Sequence, residues 1–69
     1  MTKTEIRRYW KERYRDGKER LVDIEIYDLA GEPHVALITI SPNHVVWREI
    51  YRLLDNGLKY YDTQLLNRI

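Results

Sequence analysis

The run Val35-Ala36-Leu37-Ile38-Thr39-Ile40 carries apolar side chains at both odd and even positions. Successive side chains of a strand point to opposite faces, so this run is greasy on both sides and needs cover above and below. That places it inside a sheet rather than at a border. A hairpin partner precedes it: Val22, Ile24 and Ile26 alternate with Asp23, Glu25 and Tyr27 within residues 20–28, the period of a half-buried strand. Ala30-Gly31-Glu32-Pro33 supplies the turn. The register that matches the two apolar faces sets Val22 opposite Ile40, Ile24 opposite Ile38 and Ile26 opposite Ala36. It also sets Asp28 across from His34 as a charge pair. A lone hairpin is only marginally stable. A third strand is therefore expected, from Leu58-Lys59-Tyr60-Tyr61, from the N-terminal segment or from a second copy of the chain.

Helical spacing flanks this hairpin. Thr2 and Glu5 have the separation of a capping box, in which each side chain satisfies a free amide at a helix start. Ile6, Trp10 and Tyr14 then recur every four residues, with Tyr9 beside them, and Gly17 suits the position just past a helix end. This predicts a helix over residues 3–16. The rival is a strand turning at Asp16-Gly17, which would put Ile6, Trp10 and Tyr14 on one face with Arg8 and Glu12. A second helix is expected over residues 42–56, with Ser41 as N-cap, Pro42 at the first helical position and Gly57 beyond the end. Val46, Trp47, Ile50, Tyr51, Leu53, Leu54 and Leu58 form its apolar stripe. A short third helix is expected from about Asp62, on the spacing of Leu58, Tyr61, Leu65 and Ile69. The expected fold is α+β: a small αββα domain with an antiparallel sheet of two or three strands packed against helices, closed by the short C-terminal helix.

With 69 residues, the chain is expected to form one domain spanning 1–69, whose thin core buries only about 60% of the unfolded surface. It has no cysteine, which excludes disulfides, and His34 and His44 have no close His or Cys companions for a structural zinc. Apolar runs stop well short of the ~20 residues of a membrane helix, and the charged N-terminal segment lacks the apolar stretch of a signal peptide. A cytoplasmic protein without a membrane partner is expected. Net charge is +1, but its distribution is polarised, with Lys and Arg crowded into residues 1–20 and absent from residues 21–40.

Two features suggest chemistry. On a helix, Lys3, Arg7, Lys11 and Arg15 form a stripe at four-residue spacing, with Arg8 nearby and Lys18 following. Such a stripe could track a phosphate backbone, and Tyr9 could stack on an exposed base. The plainer view is a solvated helix face. The second feature is an apolar surplus: two Trp, six Tyr and a two-sided strand. Tyr and Trp are favoured in interfaces, and Tyr27, Val35, Leu37 and Tyr60 are the candidate interface residues, weighed against a tight monomeric core.

Catalysis finds little support. Asp23 and Glu25 project from one strand face and could share a divalent cation, but no further carboxylate and lysine complete a nuclease set. Ser41 is better explained as a cap than as a nucleophile, and Gly17, Gly31 and Gly57 are isolated rather than forming a phosphate-cradling loop. No cofactor, metal or small-molecule substrate is expected. The resulting expectation is a non-catalytic protein-interaction module of adaptor or inhibitor type, bound to a protein partner or to itself as a homodimer. A small DNA- or RNA-binding regulator using the basic N-terminal helix is the alternative. A designed sequence with no evolved partner is the third reading.

Overall fold

The structure, a computed structural model, describes residues 1–13 and 17–68. One helix, α1 (Lys3–Arg13), is followed by four strands: β1 (Arg20–Leu29), β2 (Glu32–Ile40), β3 (Val45–Leu54) and β4 (Gly57–Arg68). The strands pair antiparallel in chain order, β1-β2-β3-β4, as a meander. The molecule is mostly sheet, which overturns the αββα expectation and its two later helices.

α1 starts where its sequence says it should. The Thr2 amide donates to Glu5 Oε1 at 2.9 Å, and the Glu5 amide donates to Thr2 Oγ1 at 3.2 Å, completing the capping box. Ile6 and Trp10, one turn apart, are buried against the sheet. Tyr14, Arg15 and Asp16 lie outside the described residues. Below α1, Ile24, Val35, Leu37 and Tyr51 close the core, with Met1, Leu21, Leu53 and Leu58 packed at its rim.

β2 is interior, flanked by β1 and β3. Its Val35 and Leu37 are fully buried under α1, and Ala36 on the opposite face is fully buried as well. Among the described residues no element covers that second face; long side chains lie along it instead. Arg48 of β3 reaches across β2 to Glu25 of β1, at 3.5 Å, and its guanidinium lies 5.6 Å from the centre of the Tyr27 ring.

The hairpin register differs from expectation by one residue. Ile24 faces Leu37 rather than Ile38, Ile26 faces Val35, and Asp28 faces Pro33, so the Asp28–His34 pair does not form. The cause is the turn. Ala30 and Gly31 alone form the loop, with φ of 53° and 78°, the two left-handed residues of a type I′ turn. A two-residue loop moves every β2 side chain to the other face relative to the longer turn. A bulge between Leu21 and Asp23 then shifts the start of β1.

Residues 42–56 were expected as a helix because Ser41-Pro42 suits a helix start. In the structure these residues open a hairpin. The His44 amide donates to the Ser41 carbonyl at 3.0 Å, and His44 takes φ 64°. This is a type I turn followed by a left-handed residue, a standard three-residue hairpin loop. The Ser41 hydroxyl contacts Asn43 Oδ1 and accepts from the Val45 amide at 3.2 Å. His44 therefore belongs to a turn, not a first helical turn. The expected C-terminal helix is β4, whose Leu58, Tyr61 and Leu65 are strand residues.

Candidate functional site

The basic stripe exists on α1. Lys3, Arg7, Arg8 and Lys11 are exposed, and Thr4, Arg7, Arg8, Lys11 and Glu12 line an open groove of about 460 Å³. These positions recur at three- and four-residue spacing, so they share one helix face. The ion pairs among the described residues, Glu25–Arg48 and Glu32–Arg52, draw nothing from α1. Arg15 lies outside the described residues, and Lys18 is exposed beyond the helix. Tyr9 is not available as a stacking platform. Its ring carries the Arg13 guanidinium 4.3 Å above its centre, and its hydroxyl end abuts Gly57, where a Cβ would come within 3.0 Å. Tyr9 thus joins α1 to the start of β4.

Of the expected interface residues, Val35 and Leu37 are core residues with no exposed surface, a correction that follows from β2 being covered by α1. Tyr27 is half-buried, 6.1 Å from the His34 ring. Tyr60 stays open, at 58% exposure, and it has company: Tyr61 at 60% and Leu65 and Leu66 at 50% each. All four lie on β4, the outer strand, whose residues are exposed from Lys59 to its end. Tyr61, Leu65 and Leu66 were not among the candidates because the segment from about Asp62 was expected to be a helix, on the spacing of Leu58, Tyr61, Leu65 and Ile69, the last of which lies outside the described residues.

The register explains how β4 displays them. Tyr60 faces Tyr51 and Leu65 faces Trp47, whereas Tyr61 and Leu66 are extra residues at the two shifts between β3 and β4. Each bulge adds an unpaired residue to a border strand and twists it locally. Tyr60 is steadied by an edge contact to Tyr51, with centres 5.8 Å apart, and by a 2.6 Å hydrogen bond between its hydroxyl and Thr63 Oγ1. The opposite border, β1, carries its own bulge and the carboxylates of Asp23, Glu25 and Asp28. Bulges and inserted charge are how natural sheets discourage edge pairing; both borders carry bulges, and β1 carries the greater share of charge. β4 has Lys59, Asp62 and Arg68 as its only charges.

A smaller hollow of about 160 Å³ lies among Glu32, His34, Arg52, Lys59, Tyr60 and Tyr61. His34 is buried, with Nδ1 2.9 Å from the Glu32 carbonyl. Because a carbonyl only accepts, Nδ1–H donates there. Tyr61 meets the His34 ring edge-on at 5.5 Å, and Arg52 pairs with Glu32 at 3.0 Å. These contacts describe a packed corner around Tyr61. Asp23 and Glu25, the carboxylates weighed and set aside as a cation site, are separately engaged: Asp23 accepts from the Ile24 amide at 2.8 Å, and Glu25 meets Arg48. Among the described residues, no group of three or more His, Cys, Asp or Glu side chains is placed to hold a metal, and no helix is long and apolar enough to cross a membrane.

Comparison with protein-family models, curated proteins and solved structures finds no match for this chain.

Proposed function

We propose that this chain is a small non-catalytic binding module that engages a protein along β4. The observation that carries this reading is the coincidence, on one border strand, of a backbone edge with no neighbouring strand among the described residues and four half-exposed large apolar side chains. A long, weakly charged edge is a template for strand addition, in which main-chain hydrogen bonds give affinity and side chains give specificity. Tyr60 and Tyr61 add the large, rigid contact area typical of interface anchors. A cytoplasmic setting belongs to the same proposal, supported by the absence of cysteine. The test is capture of host proteins on immobilised chain, comparing wild type with Leu65→Glu. Proteins held by wild type and lost from the variant, at an unchanged melting temperature, support β4 as the binding edge. Identical capture by both would move the site elsewhere.

A second reading is favoured by one observation, the α1 groove lined by Arg7, Arg8 and Lys11. It would make the chain a DNA- or RNA-binding regulator acting through phosphate contacts. Such binding should fall steeply with salt, and reversing the charge of Arg7 and Lys11 together should abolish it. No gel shift with mixed DNA and RNA at low salt would end this reading.

A further inference from the structure

We infer that the partner on β4 is a second copy of the chain, added antiparallel about Thr63 so that two sheets continue as one. This rests on the reading of β4 as the binding edge and names its occupant.

The argument begins with which borders can meet. Two β1 strands would each bring net negative charge to the seam, Asp23, Glu25 and Asp28 against Arg20 alone, and several registers set carboxylates opposite one another, a repulsive arrangement. A β4–β1 contact is heterologous and leaves a free edge at each end, so it does not close. Two β4 strands close with two-fold symmetry, and their sequence fits itself.

Continuing a sheet across a two-fold axis keeps each face on the same side, so paired residues must share a face. Tyr60 and Leu65 share the α1 side, opposite Tyr51 and Trp47. Asp62 and Gln64 share the other side, opposite Ile50 and Arg48, as do Lys59 and Asn67, opposite Arg52 and Val46. An axis through Thr63 pairs Asp62 with Gln64, Tyr60 with Leu65, and Lys59 with Asn67. Every pair then agrees in face, and no like charges stand opposite. The extra residues Tyr61 and Leu66 fall between successive pairs, where a bulged ladder accommodates them. The Tyr60–Leu65 pair occurs twice and extends the row begun by Tyr51 and Trp47.

The exposed parts of the four apolar residues come to roughly 400 Å² per copy, taking about 200 Å² for a whole large side chain. Edge pairing covers only the part beside the seam, so the contact is a small one, below the ~1,000 Å² of a typical specific interface, and strand backbone supplies much of its affinity.

The experiment is sedimentation equilibrium on the full chain at tens of micromolar, with two variant sets. Wild type should show twice the chain mass, and Leu65→Lys should weaken association at least tenfold. Because the chain has no cysteine, Thr63→Cys gives a single thiol, and its position on the axis should let it cross-link the dimer on mild oxidation. Val22→Cys, on the other border, should not cross-link. Gln64→Asp, which sets a carboxylate opposite Asp62, should weaken the dimer, and adding Asp62→Lys should restore it. A monomer at these concentrations overturns the second copy, while host-protein capture that still depends on Leu65 would keep the β4 reading intact. A dimer indifferent to Leu65 and not cross-linked through Thr63→Cys would overturn this geometry and deny β4 its role in self-association.

Discussion

Glu49 lies on the α1 side of β3, opposite Leu37 and Thr63. Burial pushes its carboxyl above the ordinary range, and Glu19 adds like-charge repulsion. Glu5 is displaced the other way, because its carboxylate accepts the Thr2 amide and hydroxyl bonds of the cap. The signs follow from linkage. A carboxyl raised in the folded state costs nothing below its unfolded pKa; its penalty grows as pH rises from there through the raised value and stays constant above it. A lowered carboxyl contributes fully above its unfolded pKa, and that contribution is lost as pH falls through the lowered value. Urea melts should therefore show Glu49→Gln stabilising the protein near neutral pH and converging with wild type in acid. Glu5→Ala should be destabilising near neutral pH and converge in acid as well. A Glu49→Gln gain that grew as pH fell would contradict the burial of this side chain. Ala30 offers a separate residue-scale test. A non-glycine residue at φ 53° is strained by roughly 1–2 kcal/mol, and Asn tolerates that conformation in type I′ turns. Ala30→Asn should raise stability by about 1 kcal/mol in the same melts.

At the scale of elements, α1 was legible because Thr2, Glu5, Ile6 and Trp10 agree on cap and face. The β1–β2 hairpin was legible as an element but not in register, since Ala30-Gly31 fits both a two-residue and a longer loop. β3 was hidden by an ambiguity of local chemistry. Ser followed by Pro begins a helix as N-cap and first residue, and begins a type I turn as its first two positions. Proline's fixed φ serves both. What separates them is His44 turning left-handed, which the sequence does not announce, and the pull of a sheet already in need of a partner for β2. Val45, Val46, Trp47, Ile50 and Tyr51 are strand-favouring types, and Asn56-Gly57 between apolar runs is a hairpin signal. Glu49 on the covered face and Arg48 and Arg52 on the other blurred the alternation. The basic groove was readable from spacing, whereas the β4 surface was not, because its display depends on two bulges. Truncation separates the two kinds of apolar residue. Leu37→Ala, within the core, should cost about 2–5 kcal/mol. Leu65→Ala, half-exposed at the border, should cost less than about 1 kcal/mol. Similar costs for both would mean that Leu65 is packed in the monomer.

The whole molecule is a sheet with one covered face, one face dressed by its own long side chains, and two unequal borders. α1 carries exposed positive charge on its outer side, β1 carries acid with exposed Val22, Ile26 and Leu29 among it, and β4 carries the larger apolar surface. The ion pairs on the open face are partly solvent-exposed and are worth no more than about 1 kcal/mol each, so stability rests on the core beneath α1. This arrangement also ranks the backbone. Amides of β2 are bonded to strands on both sides, whereas those of β4 that point away from β3 have no strand partner among the described residues; the Thr63 and Arg68 amides donate to the Asp62 and Asn67 side chains at 2.8 Å. Amide hydrogen exchange, resolved by residue at low micromolar and at high micromolar chain concentration, reads this ranking directly. In dilute solution β2 amides should exchange most slowly, and the outward amides between Lys59 and Arg68 should exchange fast. On concentration, protection should rise in β4 alone. Outward β4 amides already slow in dilute solution, or protection gained at α1 or β1 instead, would contradict an open β4 border.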